Sequence, residues 1–193
     1  PDMSTYPTIN PPIIDKCEGK FKPYERDLER WARRWAHPGT PGLEHRVGGL
    51  EKAENGAVSS DPENHAIMVA NRAEKVARVA NYIPELEVMG NQEGDVLVVG
   101  WGGTYGHLYT ATKQLLEEGK NVGFAHFDYI NPLPKNTAEV FKKFKKIIVC
   151  ELNSGQFVNY LRGQYPEFAF EQLNKVQGQP FIVKEIVDAV NAL

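Results

Sequence analysis

The strongest constraint on this chain is a set of short apolar runs that recur between helix-length segments in its second half. Residues 95–100 (DVLVVG), 121–127, 146–152 and 168–173 each read as a strand, and the segments between them space their apolar residues helically. In 104–118, Leu108, Ala111, Leu115 and Leu116 share one face, and Gly119 supplies the stop. A short helix fits 137–144. Another, carrying Phe157, Val158 and Leu161, starts at Ser154, whose hydroxyl is the expected cap. The last carries Val183, Ile186, Val187 and Val190. Continuous apolar strands alternating with helices require a largely parallel sheet covered on both faces. A run at 87–89 adds a candidate edge strand, whose direction periodicity does not show. The lysines around Phe144 (Lys142, Lys143, Lys145 and Lys146) read as the wet face of a helix end.

The first half obeys none of this. Residues 1 to about 60 lack apolar periodicity, and eight of the thirteen prolines lie in 1–62, so an extended arm or linker is expected over 1–60, with a helical turn or two within 25–35. The arm carries Phe21, Tyr24, Trp31 and Trp35, which need a surface to cover. Asp61-Pro62-Glu63 then combines a cap, a first-turn proline and an acid at the positive end of a helix. That helix is expected to reach about Tyr82, before Pro84. Val69, Ala73, Val76, Ala80 and Ile83 form one stripe along it, widened by Ala66, Ala70 and Ala77. The stripe suits either the domain's own core or a face for another body. The expected division is an arm over 1–60, a connecting helix over 61–84 and an α/β domain over 85–193.

Composition removes several function classes. Charge is mixed, with a formal net of -3, so no sequence-wide basic field suggests nucleic acid or an acidic membrane. No apolar run nears the roughly 20 residues of a membrane helix. The opening stretch is Pro-rich and polar, without the apolar centre of a secretory signal. Its first residue, Pro1, fits a piece of a longer polypeptide or a processed chain. Cys17 and Cys150 are far apart and form no CxxC. Two thiols do not make the four that an iron–sulfur cluster usually needs. Cys150, inside an apolar run, reads as a buried strand residue. A reducing, cytoplasmic location is expected.

Three motifs are candidates for a site. In 100–106 (GWGGTYG), glycines between a strand and a helix let Gly102, Gly103, Thr104 and Tyr105 approach an anion at a positive helix end. Asp128 at the end of the next strand approximates a dinucleotide-binding layout, but the spacing is GxGxxxG rather than GxGxxG. A tight turn, a phosphate-like ligand and a subunit contact all stay open. In 151–156, Asn153 and Gln156 stand at another strand's carboxyl end, where open α/β sheets bind ligands; the alternative is local capping. In 42–49, His45 and Arg46 suit a carboxylate or phosphate, against a merely solvated loop. His107 and His126 lack partners at ligand spacing. No HExxH, GxSxG or zinc set is present. No catalytic apparatus and no metal site are expected.

Five blocks also carry a family likeness. GTPGLEHRVGGLEKAENGAVSSDPENHAIMVANRAEKV (39–76) resembles the segment joining the second and third domains in alpha subunits of 2-oxoglutarate and related 2-oxoacid ferredoxin oxidoreductases. DVLVVGWGGTYGHLYTA (95–111), FDYINPLPKN (127–136), KKIIVCELNSGQF (145–157) and LNKVQGQPF (173–181) are similar to that family's carboxy-terminal domain, in the same order. The resemblance implies a transketolase carboxy-terminal-type α/β domain of about five strands, one antiparallel at an edge. It implies a holoenzyme that decarboxylates a 2-oxoacid on thiamine diphosphate with magnesium. Electrons then pass through an iron–sulfur cluster to ferredoxin, and the acyl group passes to coenzyme A. It implies as partners an upstream thiamine-pyrimidine domain and a beta subunit carrying the diphosphate site and cluster cysteines. This chain lacks a GDG followed by an NN pair, and lacks those cysteines. A bracing domain at the substrate or coenzyme A channel is the expected role. A stand-alone dinucleotide binder and a pure assembly module are the alternatives.

Overall fold

The computed structural model describes Ser4, Pro11 and residues 13–193. The chain divides into two compact units, with the boundary between Val79 and Ala80.

The second unit is the expected α/β body. Its sheet has five strands: β3 (Val88–Gly90), β4 (Gly94–Trp101), β5 (Val122–Phe127), β6 (Phe144–Glu151) and β7 (Phe170–Asn174). Their order is β3-β5-β4-β6-β7; β3 runs antiparallel to β5 and every other pairing is parallel. Alternate residues of each strand feed opposite faces, as the pleat requires. On one face Leu97, Val99, Phe127, Ile147 and Val149 meet Phe141 of α3 (Thr137–Lys142) and Phe157 and Leu161 of α4 (Gln156–Gln164). On the other, Val96, Val98, Phe124, Ile148 and Cys150 meet Leu108, Ala111 and Leu115 of α2 (Tyr105–Glu117) and Ile186, Val187 and Val190 of α5 (Val183–Asn191). The result is three layers. Gly100 shows how tightly α2 sits on β4. A Cβ added there would lie 2.1 Å from Leu108 Cδ1 and 2.6 Å from Thr104 Oγ1.

Two local expectations are corrected. The lysine run ends a helix only in its first half: Lys142 closes α3 and Lys143 is its C-cap, both exposed as expected, but Phe144 begins β6. Phe144 is buried while Lys145 and Lys146 are exposed, so these two solvated lysines belong to a strand. Nor does Ser154 cap α4. Gly155 occupies the cap position at φ 97°, a left-handed conformation that glycine adopts without strain, and makes no side-chain cap. The side chains of Glu151 and Asn153 take the free amides instead.

The first unit has little regular structure. β1 (Ile13–Ile14) and β2 (Trp35–Ala36) pair in parallel, and α1 spans Pro62–Arg78. Asp61 caps α1 as expected, accepting from the amides of Glu63 and Asn64. Beyond Arg78 a short 3-10 turn, Val79–Asn81, replaces the last expected turn of helix. The anticipated helical turns within 25–35 are absent. The Asp27 carboxylate accepts from the amides of Glu29, Arg30 and Ala32, an arrangement that competes with helix. Those bonds, Arg30 foremost, hold its pKa below the usual carboxylate value. The loop is fastened to α1 by polar contacts. Trp31 Nε1 donates to Asn71 Oδ1 at 3.2 Å, and the Arg78 guanidinium lies 4.4 Å over the Trp31 ring while donating to the carbonyls of Leu28 and Glu29. The only buried residue of α1 is Met68. Val69, Ala73 and Val76 are exposed, so within this unit the small-residue stripe is an outer face and not a core.

Candidate functional site

Parallel pairing brings the carboxyl ends of β4 and β6 side by side, and with them two of the three motifs. The join is Glu151. It is fully buried at the end of an apolar strand, and its carboxylate is nonetheless fully used. Oε2 accepts from Phe157 N at 2.8 Å and from Trp101 Nε1 at 3.3 Å; Oε1 accepts from Val158 N at 2.8 Å. A buried carboxylate requires such donors, and the first amides of α4 supply two of them, with the helix dipole favouring the charge. Asn153 Oδ1 accepts from the amides of Gly155 and Gln156 at 2.7 and 3.0 Å. The start of α4 is therefore closed by its own chain. Asn153 is engaged locally, and Gln156 is exposed beside it.

The glycine turn is closed in a similar way. Gly102–Thr104 forms a 3-10 turn, with Gly102 at φ 56°. Thr104 is buried, and its hydroxyl donates to Trp101 O at 2.8 Å while accepting from Trp101 N at 3.1 Å. Gly102 and Gly103 face solvent. Tyr105, half exposed, looks away from this turn toward β5, with its ring edge-on to His126 at 5.1 Å and tilted on Phe124 at 5.7 Å. His126 has its Nε2 3.8 Å from Asp128 Oδ1, and its buried Nδ1 has no hydrogen-bond partner among the described residues. Burial pushes the imidazole below its usual pKa; the nearby Asp128 offsets part of that.

The third motif lies in the other unit. His45 lines a cavity of about 520 Å³ with Arg33, Arg34, Trp35, His37, Leu43, Glu44 and Val47. Its Nδ1 is 2.9 Å from Leu43 O and its ring stands edge-on to Phe21. Arg46 is exposed and does not line this cavity. The cationic groups that do are Arg33 and Arg34. Arg33 lies 5.0 Å over the Tyr24 ring. It faces Arg26 across an isolated antiparallel bridge. Burial, then the charges of Arg33 and Arg72, push the Arg26 guanidinium down, and its Nε has no partner among the described residues.

Sequence reasoning missed Glu151, Arg33 and Arg34, and set His126 aside for want of partners at ligand spacing. Glu151 left one readable sign, a charge directly after an uninterrupted apolar strand. The arginines left none, since their meeting with His45 depends on loop geometry. Among the described residues no group of three or more His, Cys, Asp or Glu is placed to hold a metal. Cys150 is buried in the sheet with its thiol pushed up to about 12, chiefly by burial and then by Glu151.

With this geometry in place, three comparisons bear on identity. Residues 94–186 match the family Pyruvate:ferredoxin oxidoreductase core domain II. The 2-oxoglutarate oxidoreductase subunit KorA of Mycobacterium tuberculosis is 40% identical over 188 residues, covering 96% of this chain and 28% of that protein. The alpha subunit of 2-oxoacid:ferredoxin oxidoreductase 1 of Aeropyrum pernix is 30% identical over 149 residues, 74% of this chain and 23% of that one. A solved 2-oxoglutarate:ferredoxin oxidoreductase from Magnetococcus marinus, with 2-oxoglutarate, coenzyme A and succinyl-CoA bound, superposes on 100% of this chain and 34% of its own at TM-score 0.88 and 31% identity. The chain thus spans roughly a quarter to a third of the length of these relatives. The likeness in sequence runs through both units and the fold agrees across the whole length, so the chain belongs to the alpha subunits of the 2-oxoacid:ferredoxin oxidoreductases, as the portion that contains core domain II.

Proposed function

We propose that this chain is a bracing segment of the alpha subunit in a cytoplasmic 2-oxoacid:ferredoxin oxidoreductase. The assembled enzyme would oxidatively decarboxylate a 2-oxoacid and pass the acyl group to coenzyme A. The observation that carries this reading is the agreement of fold over the entire chain with a 2-oxoglutarate:ferredoxin oxidoreductase at 31% identity. Thiamine diphosphate, magnesium and the iron–sulfur cluster belong, on this reading, to an upstream thiamine-pyrimidine domain and to a beta subunit. Ferredoxin meets the enzyme through those parts. The two free cysteines suit a reducing compartment.

This chain's own contribution is positional. The closed turns at the ends of β4 and β6 form a rigid ledge, because Thr104, Asn153 and Glu151 satisfy the local amides and leave no loose loop. The arm cavity contributes charge: Arg33 and Arg34, with His37 and His45 beside them and only Glu44 opposing, suit an acidic substrate group or a phosphate. The dinucleotide reading is not favoured, because the relatives are oxidoreductase alpha subunits and Thr104 closes the glycine turn upon Trp101.

The test uses the reconstituted holoenzyme. Replacing Arg33 and Arg34 together by Ala should raise KM for the 2-oxoacid or coenzyme A about tenfold, the scale of one charge-assisted contact, with kcat little changed. Arg46→Ala, outside the cavity, should raise KM less. Unchanged KM for both substrates in the double variant would remove the arm cavity from the substrate path.

A further inference from the structure

A second cavity, of about 410 Å³, lies wholly within the α/β unit. It opens at the antiparallel edge of the sheet among residues 84–89, the start of α2 and the end of β5. It takes in Tyr105 and Asp128 of the first motif, but in a setting that the motif's spacing does not predict. Its wall is aromatic, with Tyr105, Phe124 and Tyr129. Tyr105 is stacked on Tyr109 at 5.8 Å and half exposed, so its ring is held in place with one face uncovered by that partner. Its floor is His126, whose side chain is only 11% exposed and forms no hydrogen bond among the described residues: Nδ1 is buried without a partner there, and 3.8 Å to Asp128 Oδ1 is beyond hydrogen-bond reach. Its charged groups are Glu85, Glu87 and Asp128; neither lysine nor arginine lines it. Glu85 and Glu87 make no ion pair among the described residues, and the carboxylate of Asp128 is 82% exposed.

Three carboxylates around one concavity repel each other; no lysine or arginine among the described residues lines it, and Lys143 lines the adjoining cavity that shares Glu85 and Glu87. A cation entering there relieves that repulsion. The aromatic wall narrows its kind. A guanidinium is planar, weakly hydrated and suited both to stacking on a ring and to forked bonds with carboxylates; an ammonium is compact and holds its water. We infer that this cavity docks an arginine side chain presented by another polypeptide, with the guanidinium against Glu85, Glu87 and Asp128 and its plane on Tyr105. The occupant is a polypeptide side chain because the family to which the chain belongs is built of several subunits, and because the site offers a wall and a rim of charge without an enclosed chamber. The inference does not depend on which substrate the enzyme takes.

Two measurements test it. In the first, the full chain is titrated with acetyl-arginine-amide, acetyl-lysine-amide and the uncharged acetyl-citrulline-amide while amide resonances are followed. The arginine probe should give saturable shifts at 84–89, Tyr105 and His126, with a Kd on the order of 1 mM, as befits one side chain. The citrulline probe should bind about tenfold more weakly, and the lysine probe should also be weaker. The variant E85Q/E87Q/D128N, altered only at exposed positions, should keep its dispersed spectrum and lose the shifts. In the second, carboxylates are labelled with carbodiimide and an amine. Glu85, Glu87 and Asp128 should react in this chain and be protected in the reconstituted oxidoreductase. Citrulline or lysine binding as well as arginine, persistence of the shifts in the triple variant, or equal labelling in the assembled enzyme would each overturn the proposal.

Discussion

The two units of this chain solve the same problem by opposite means. From Ala80 on, order comes from burial: a five-stranded sheet with apolar side chains on both faces, and helices that cover it. Up to Val79, order comes largely from side chains bonded to backbone. Asp27 holds three amides and Arg78 holds two carbonyls. Lys52 is fully buried, with Nζ donating to Gly48 O at 2.9 Å and Leu50 O at 2.7 Å. The first unit's apolar centre is small, with Phe21, Leu43 and Met68 its chief members. Charge divides the same way. Seven of the eight arginines lie before Val79, where acids and bases balance, whereas the second unit has ten basic against thirteen acidic residues. A body built by burial keeps its shape by itself and can serve as a ledge. A segment built by cations on carbonyls and rings leaves guanidiniums at its surface, and Arg33 and Arg34 are such groups.

Each unit holds one cysteine, and the pair gives the sharpest contrast. Cys150 is fully buried with its thiol pushed up to about 12, whereas Cys17 is half-buried in the arm. At pH 8, Cys150 should carry about a thousandfold less thiolate than an ordinary thiol near 8.5, before burial further blocks the reagent. Titration with a chromogenic disulfide should therefore find one reactive thiol in the native chain and two in denaturant. Rapid native reaction of both would mean that the sheet opens as readily as the arm, and the contrast between the units would fail.

The next test removes one buried ion from each unit. Glu151→Ala leaves two helix amides and an indole N–H without their acceptor. By the cost of unsatisfied buried donors and a lost cap, this should lower stability by about 3 kcal/mol or more. Lys52→Ala should cost about 2 kcal/mol and act locally, loosening the loop around 48–58. Hydrogen exchange separates the two outcomes. The first variant should speed exchange throughout β4, β6 and α4, and the second only in the arm. If Lys52→Ala also speeds exchange in the sheet, the two units are one cooperative body.

The same contrast governs what could be read in advance. The sheet, its helices and its edge strand were legible because burial writes itself into periodicity: Val96 and Val98 fall on one face and Leu97 and Val99 on the other, and the ladder then aligns β4 with β6 without further information. The arm was legible only as an absence of pattern. Asp27 and Lys52 look like ordinary surface residues in sequence, because a carboxylate's choice of amides depends on how the loop folds back. The candidate residues divided on that line. Thr104 and Asn153 were found at the right strand ends, but their polar groups face inward to their own turns. His45 was found without the arginines beside it, and Arg46 was chosen because adjacency in sequence is visible and adjacency in space is not. Ser154 was expected as a cap by residue type alone. Glu151 displaced it by reaching six and seven residues along the chain to the amides of Phe157 and Val158.

The smallest expected effect concerns His126, and its sign can be worked out. Burial lowers the imidazole's pKa in the folded chain below the ordinary 6.5, and Asp128 raises it only in part. Above pH 6.5 the ring is neutral in both folded and unfolded chains, and contributes nothing to the pH dependence of stability. As pH falls below 6.5 the unfolded chain takes up a proton that the folded chain refuses, so stability declines until the folded pKa is passed and is level thereafter. Denaturant unfolding between about pH 4.5 and 8, compared with His126→Asn, should isolate this slope, since the carboxylates of Glu85, Glu87 and Asp128 are common to both proteins. Asp128→Asn removes the attraction that favours the charged ring, so it should push the folded pKa lower still and extend the decline to more acid pH. A stability difference between wild type and His126→Asn that does not vary with pH would mean that the imidazole is as well solvated as in the unfolded chain. The cavity floor would then be wet, and the second unit would lose the dry edge on which its contrast with the arm rests.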